Sequence, residues 1–253
     1  MNINLAKQLK ASVRAIDGWL SDGAIGLFAL IDSIQAENAI RGNLMEIGCH
    51  HGKSAIVLAQ LADRSNEHLL VCDLFGQQQQ NLSRSGRGDK AIFLAHLEAI
   101  VGEHEFVRLL EKRSQDLEPA EVGRDHRIFH VDGGHTVEEV SADLALAAQC
   151  IGEHGVIVCD DALHPGWPTV AEAVFRFLFA RQGEFSALAV GFNKLVIVPD
   201  PARELYQPYF DRPEYYGRFI AREEARGVRR LTLCDQPVTC FIPRHWEGVT
   251  PVD

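Results

Sequence analysis

Residues 43–60, NLMEIGCHHGKSAIVLAQ, form the stretch that decides the fold. A short apolar run leads into a glycine-bounded loop and then into a helical pattern. The loop ends in the Gly-Lys-Ser of a nucleoside-triphosphate loop, but only three residues separate Gly48 from Gly52, where that loop requires four. The dinucleotide fingerprint G-x-G-x-x-G also fails, because His50 and Lys53 stand where it requires glycine. The stretch therefore predicts a strand–loop–helix site for a nucleoside ligand that needs no phosphate cradle.

The alternation of apolar runs and amphipathic segments continues along the chain and predicts an α/β fold with a Rossmann-like, mostly parallel sheet and helices on both faces. Only residues 191–193 separate the last two runs, which is too short for a crossover helix, so these runs predict an antiparallel hairpin that completes a seven-stranded sheet. The predicted strands are Leu44–Gly48, His68–Asp73, Val107–Lys112, Arg127–Asp132, Gly155–Asp160, Phe185–Val190 and Lys194–Val198, and the predicted helices are Ser54–Ala62, Lys90–Val101, Thr136–Cys150 and Thr169–Ala180.

Composition excludes some classes of partner. The formal net charge of −10 argues against a general nucleic-acid surface, which needs a basic face. No apolar run approaches the roughly 20 residues of a membrane span, and the N-terminus lacks the apolar core of a signal peptide. The six cysteines show no C-x-x-C spacing and are typical of free thiols in a reducing compartment. We therefore expect a cytoplasmic protein that binds neither membrane nor nucleic acid.

A second acidic residue indicates which nucleoside is bound. Asp73 ends the second predicted strand, 27 residues after Glu46. A carboxylate at this place in an open α/β sheet can accept hydrogen bonds from ribose hydroxyls, while Glu46 at the end of the first strand can meet a positive charge. S-adenosylmethionine has a ribose and a nearby positive charge without phosphates, so it fits both acids.

These features resemble those of the class I S-adenosylmethionine-dependent methyltransferases, whose first motif is an acid followed by Gly-x-x-x-Gly and whose second is an acid at the end of strand two. The segment KRSQDLEP, residues 112–119, is similar to the Ser-Gln-Asp segment by which catechol-type O-methyltransferases contact adenine. Carried over to this chain, the resemblance implies that the cofactor contacts Glu46, Gly48, Gly52, Ser54 and Asp132 around the methionine part, Asp73 at the ribose, and Leu74, Phe75, Ser114 and Gln115 around the adenine.

Acidic residues also end the next two strands of the predicted sheet. Asp132 ends the fourth strand, and Asp160 and Asp161 end the fifth. Neighbouring parallel strands end at one edge of the sheet, so the three carboxylates would repel one another unless a cation lies among them, and oxygen ligands suit Mg²⁺. A plain alternative is that Asp132 only caps the following helix. His135 can accept a proton near neutral pH from a hydroxyl group, or it can merely hydrogen-bond the metal ligands.

Asp-x-x-His followed by Asp-Asp is similar to the macrocin and mycinamicin type of methyltransferase, which methylates sugar hydroxyls. Catechol-type enzymes have Lys and Asn where this chain has His135 and Asp161. The resemblance implies a Mg²⁺-dependent O-methyltransferase that acts on a hydroxyl of a sugar or sugar-bearing small molecule, with His135 and Asp132 in the catalytic role and Asp132, Asp160 and Asp161 as metal ligands. Two alternatives stay open: a metal-independent N- or O-methyltransferase, and a nucleoside-binding scaffold without activity.

The chain divides into three predicted segments. Residues 1–40 form an N-terminal helical cap, 41–200 the S-adenosylmethionine-binding methyltransferase domain, and 201–253 an extension that covers the substrate or contacts another subunit of a homo-oligomer. Within the extension the pattern predicts a helix over Tyr215–Ala225 and a strand over Val228–Cys234.

Overall fold

The computed structural model describes residues 4–245, so the ends of the predicted N- and C-terminal segments lie outside the described residues. The strands are β1 (Leu44–Ile47), β2 (Leu69–Cys72), β3 (Val107–Leu110), β4 (His126–Val131), β5 (Ile151–Asp160), β6 (Phe185–Gly191), β7 (Lys194–Pro199), β8 (Ala225–Leu233) and β9 (Gln236–Pro243). The α-helices are α1 (Leu5–Ser12), α2 (Asp22–Glu37), α3 (Lys53–Leu61), α4 (Lys90–Val101), α5 (Pro119–Val122), α6 (Val137–Cys150), α7 (Pro168–Ala180), α8 (Arg203–Asp211) and α9 (Pro213–Tyr216).

The strands form one sheet in the order β3-β2-β1-β4-β5-β7-β6-β9-β8. Strands β1 to β5 pair in parallel, and β7 runs antiparallel to both β5 and β6. The predicted fold class, all seven predicted strands and the antiparallel hairpin are confirmed. The described sheet is nevertheless longer than predicted, with nine strands, because the C-terminal hairpin β8–β9 joins it through parallel pairing of β9 with β6.

The helix predicted over Tyr215–Ala225 is wrong. Only Pro213–Tyr216 is helical, turns follow, and Ala225 already begins β8. Gly217 disfavours continuation of the helix beyond Tyr216, and the apolar residues Phe219 and Ile220 are buried in the core. Tertiary packing therefore overrides the helical pattern here.

Side chains alternate between two apolar cores, one on each face of the sheet. In β4, Ile128 packs with α2, α3 and α4 on one face, whereas Phe129 packs with α6 and α7 on the other. Strands buried on both faces read as nearly continuous apolar runs, which is why the central strands could be predicted from sequence.

A buried arginine joins the N-terminal helices to the sheet. Arg127 lies on β4 and is 4% exposed. Its guanidinium donates hydrogen bonds to Glu67 at 2.8 Å, to Asp32 of α2 at 2.9 Å and to the Gln35 side chain at 2.8 Å. Because burial of an ion pair is costly unless every charge is matched, this cluster fixes α2 against the sheet in one position.

Several acidic residues lie together at the carboxyl edge of the sheet. Strands β1, β2, β4 and β5 end at this edge, and β7 begins there because it runs the opposite way, so that Lys194 lies directly opposite Asp160. No helix within residues 4–245 is long and apolar enough to cross a membrane.

Candidate active site

One cavity of about 610 Å³ opens at the carboxyl edge of the sheet. It brings together most of the predicted site residues, in agreement with the rule that open α/β sheets bind ligands at this edge. Those that line it are Gly48, Ser54, Asp73, Leu74, Ser114 and Gln115 from the predicted cofactor set, and Asp132, His135, Asp160 and Asp161 from the predicted metal and catalytic set.

The two glycines of the first loop are required by close packing. Gly48 has φ +82°, and a Cβ added to it would overlap the backbone carbonyl of Asp132. Gly52 has φ +91°, and its Cβ would overlap the ring of Phe93. Gly48 lines the cavity, whereas Gly52 does not, so the second glycine serves the packing of α3 against α4.

Asp73 fixes the first loop while lining the cavity. Its Oδ2 accepts hydrogen bonds from the backbone N–H groups of Cys49 at 2.7 Å and His50 at 3.0 Å, and its Oδ1 accepts one from Phe75 at 2.7 Å. A carboxylate offers about four lone-pair positions. One position is therefore left for a ribose hydroxyl, which stays a prediction.

Three predicted cofactor residues do not line the cavity: Gly52, Glu46 and Phe75. Glu46 and Phe75 are fully buried. Glu46 Oε1 lies 2.8 Å from Nδ1 of His130 on the neighbouring strand, and the Phe75 ring packs against Phe93 with 6.0 Å between centroids. Both residues therefore contact other side chains of the protein and do not line the cavity.

The predicted adenine end rests on an acid that the sequence reasoning missed. Ser114 and Gln115 form a 3₁₀ turn, and Gln115 donates to Ser114 Oγ at 2.8 Å and lies 3.5 Å from Asp143 Oδ1. Asp143 lies on the buried face of α6 with 1% exposure. Burial raises the pKa of Asp143 to about 7, although hydrogen bonds from Ser114 and Gln115 oppose the shift. The signal was an acid at a core position of an amphipathic helix.

His135 is held at both ring nitrogens. Its Nε2 lies 2.9 Å from Asp161 Oδ2, and its Nδ1 lies 2.8 Å from the hydroxyl of Ser85. The ring of Trp167 packs against it with 4.2 Å between centroids. If Nε2–H donates to Asp161, the free lone pair on Nδ1 accepts a hydrogen bond from the hydroxyl. Ser85 comes from the polar loop that follows β2.

The acids and histidines of this region form two groups that could hold a metal ion. In each group every residue offers one ligand atom, and these atoms lie within 4.8 Å of one another: Asp132, His135 and Asp161 at the cavity surface, and His130, Asp132 and Asp160 deeper in the protein. The capping alternative for Asp132 is not needed, because Thr136 and Glu139 make the capping box of α6.

The carboxyls in the cluster differ in their environment. Burial and the neighbouring Asp160 carboxyl raise the pKa of Asp132 well above its ordinary value. Burial would also raise the pKa of Asp161, but hydrogen bonds from His135 and Asn193 outweigh it, so the pKa of Asp161 is lowered. Asp161 therefore loses its proton at a lower pH than Asp132 does.

Lys194 is a further residue that the sequence reasoning missed, since it was read only as the start of a strand. It is 1% exposed, and its ammonium pairs with the Asp160 carboxylate. Burial alone would lower the pKa of Lys194, but the carboxylates of Asp160 and Asp132 outweigh it and raise the pKa. The signal was a lysine at the head of an apolar strand, directly after a tight turn.

Trp19 lies at the mouth of the cavity and is 79% exposed. Its ring centroid is 5.1 Å from that of His50 on the first loop. The sequence favours core packing for Trp19 over closure of the cofactor site, and its exposure shows that the core-packing prediction is wrong.

Comparisons with known proteins agree with this architecture. The family model described as "Methyltransferase domain" matches residues 45–162. No curated protein matches the chain in sequence.

Similar solved structures include three methyltransferases. The O-methyltransferase NovP has 15% identity and a TM-score of 0.59, with 75% of this chain and 86% of NovP covered. CalS11, a TDP-rhamnose 3'-O-methyltransferase in calicheamicin biosynthesis, has 16% identity and a TM-score of 0.50, with 78% and 93% covered. The O-methyltransferase from Bacillus cereus, solved with S-adenosylhomocysteine, has 16% identity and a TM-score of 0.53, with 79% and 92% covered. These likenesses show the fold, and the matched family model indicates that residues 45–162 resemble a methyltransferase domain.

Proposed function

We propose that this protein is an O-methyltransferase that transfers the methyl group of S-adenosylmethionine to a hydroxyl of a sugar or sugar-bearing small molecule, with a Mg²⁺ ion at the acidic cluster. The observation that carries the proposal is that one cavity is lined by most of the predicted cofactor residues and also by His135 with Asp132 and Asp161 beside it. Two of the methyltransferases similar in fold support the acceptor class: CalS11 is described as acting on TDP-rhamnose, and NovP as an O-methyltransferase.

His135 is the residue best placed to take the proton. Asp161 holds Nε2 at 2.9 Å and so turns Nδ1 toward the Ser85 hydroxyl at 2.8 Å. This hydroxyl marks where an acceptor hydroxyl would bind. An acceptor that displaced Ser85 would lie within the distance at which a general base abstracts a proton. Thr169 Oγ1 donates a hydrogen bond to the His135 carbonyl at 2.5 Å, so the backbone of the histidine is fixed as well.

The donors at the cavity surface fit a divalent cation. Asp132 and Asp161 supply two carboxylates beside His135, and one ligand atom of each residue lies within 4.8 Å of the others. Carboxylate oxygens are ligands that Mg²⁺ prefers, while both ring nitrogens of His135 stay with Asp161 and the acceptor hydroxyl. Asp160 was also predicted as a metal ligand. Because its carboxylate pairs with Lys194, we do not count it among the direct ligands. A bound Mg²⁺ would stabilise the alkoxide form of the acceptor.

The test is methyl transfer from isotopically labelled S-adenosylmethionine to a panel of sugars, nucleotide sugars and glycosides. His135→Gln should lower kcat by about 10²- to 10⁴-fold, the usual contribution of a general base, while calorimetric binding of S-adenosylhomocysteine stays unchanged. His104→Gln is the matched control, because His104 does not line the cavity and its Nδ1 lies 3.5 Å from the carboxylate of surface Glu98.

Three outcomes would contradict the proposal. Full activity after dialysis against EDTA would favour a metal-independent methyltransferase. Binding of S-adenosylhomocysteine with no transfer to any hydroxyl would favour a non-catalytic scaffold. Unchanged kcat in His135→Gln would remove the base.

A further inference from the structure

Lys194 is a buried cation within the acidic cluster. It is the first residue of β7, it is 1% exposed, and its Nζ pairs with the Asp160 carboxylate directly across the β5–β7 ladder. An ammonium group removed from water costs several kcal/mol unless an opposite charge compensates it. Lys194 does not line the cavity, so it has no face toward a substrate.

The tight turn before β7 positions Lys194 beside Asp160. Phe192 and Asn193 have φ values of +56° and +66°, as in the two-residue turns of tight hairpins. The Asn193 side chain donates hydrogen bonds to Asp160 Oδ1 at 3.0 Å and to Asp161 Oδ1 at 2.6 Å. The hairpin therefore presents an amide and an ammonium side by side to the two acids that end β5.

Asp160 is engaged at both carboxylate oxygens by these groups. Its Oδ2 pairs with Lys194, and its Oδ1 accepts hydrogen bonds from Asn193 and from the backbone N–H of Asp161 at 2.8 Å. A metal ion at the cavity surface would therefore find the Asp160 carboxylate already turned toward protein donors. Asp132 and Asp161, which share the more open group with His135, are the carboxylates left to an incoming ion.

We propose that Lys194 is the resident cation of the site: it neutralises Asp160 in the metal-free protein, so that the acidic cluster folds without a divalent ion and offers that ion one carboxylate fewer. This inference rests on the proposed metal site, but it assigns Lys194 as a positioning residue whose effect is measurable without methyl transfer. The site should bind a divalent cation more weakly than one in which all three carboxylates are free.

The experiment compares Lys194→Met with the wild-type protein in thermal unfolding and in calorimetric titration with Mn²⁺. In EDTA the variant should unfold about 10 °C lower, because Asp160 is left buried without its partner. Excess Mn²⁺ should recover most of that loss, and the Mn²⁺ affinity of the variant should rise by about tenfold. Lys90→Met removes an exposed lysine paired with Glu111 and should change neither quantity.

The double variant Asp160→Asn/Lys194→Met keeps the inference testable if the single variant folds poorly. Removing both charges should restore stability in EDTA relative to Lys194→Met alone, since no unpaired carboxylate remains. A double variant no more stable than the single one would overturn the inference. So would Lys194→Met with wild-type stability in EDTA and wild-type Mn²⁺ affinity. If the wild type binds no Mn²⁺, the proposed metal function fails, while the stability comparison in EDTA still tests Lys194.

Discussion

The ionisation of Asp143 should make the stability of this protein depend on pH in a way that one substitution removes. The carboxyl lies on the inner face of α6 at 1% exposure, and its Oδ2 has no hydrogen-bond partner among the described residues. Burial raises the pKa of Asp143 from 3.8 to about 7 in the folded protein. The folded state therefore favours the protonated carboxyl.

The direction and size of the effect follow from proton linkage. Between the unfolded pKa near 4 and the folded pKa near 7, the folded state holds one proton more than the unfolded state, so the free energy of unfolding falls as pH rises. The slope is about 1.4 kcal/mol per pH unit. The stabilisation by the protonated Asp143 is complete below pH 4 and is lost as pH rises through 7, about 4 kcal/mol in all.

Asp143→Asn keeps the size and the acceptor oxygen of the side chain and removes its ionisation. Equilibrium urea unfolding, followed by circular dichroism at half-unit steps from pH 5 to 8, gives the free energy of unfolding of both proteins. The difference between them cancels the titration of all other groups. It should move in favour of the variant by about 3 kcal/mol between pH 5 and 8.

Asp116→Asn is the matched control, because Asp116 is an exposed acid in the same turn as Ser114 and Gln115 and is paired with Arg113. Its difference from the wild type should not change with pH over this range. If the Asp143→Asn difference stayed constant within about 0.5 kcal/mol from pH 5 to 8, the reasoning from burial to ionisation would be refuted.

Three further substitutions test other parts of the structure. Asp73→Asn should weaken S-adenosylhomocysteine binding by about 10- to 100-fold in calorimetry, because a charge-assisted hydrogen bond contributes about 1.5–3 kcal/mol; an unchanged affinity would count against the ribose contact. Arg127→Met should lower the free energy of unfolding by about 3–5 kcal/mol in urea, because it leaves buried Glu67 without its cationic partner; a loss below 1 kcal/mol would contradict this. Gly52→Ala should cost at least about 1–2 kcal/mol from its left-handed backbone alone, with the clash against Phe93 added; a thermal midpoint equal to that of the wild type would contradict it.

The central sheet could be predicted because its strands are buried on both faces and read as apolar runs such as LLVC, residues 69–72. The C-terminal hairpin lacked this signal, so only its first strand was predicted, over Val228–Cys234, where the structure has β8. β8 carries mostly exposed residues, including Arg229 and Arg230, since it forms the edge of the sheet and has a neighbour on one side only. The hairpin joins the sheet through pairing of β9 with β6, which are distant in sequence, so no local sequence pattern predicts this pairing.

Site residues within short motifs could likewise be predicted, whereas those that come from remote parts of the chain could not. Gly48, Asp73 and Asp132 stand at strand ends within short motifs, and motif spacing was enough to bring them to one cavity. Ser85 and Lys194 reach the site from a polar loop and from the last hairpin, 50 and 34 residues away from the groups they contact. Sequence reasoning correctly required a positive charge among the acids, but it considered only a metal ion and overlooked the lysine.

The cofactor half and the acidic half of the cavity are joined by a direct backbone contact. Gly48 at the end of β1 lies so close to the carbonyl of Asp132 that no Cβ fits between them, and the N–H of Asp132 donates to the carbonyl of Ile47 at 2.9 Å. The first loop, which is predicted to hold the methyl donor, is therefore fixed directly against Asp132, the first acid of the cluster. Methyl transfer requires donor and acceptor to be held in line, and such positioning contributes about 7–11 kcal/mol to lowering a barrier. Gly48, directly after β1, packs against the carbonyl of Asp132, directly after β4, and so fixes the spacing of the two halves. The proposed alignment of donor and acceptor therefore depends on backbone packing at the edge of the sheet.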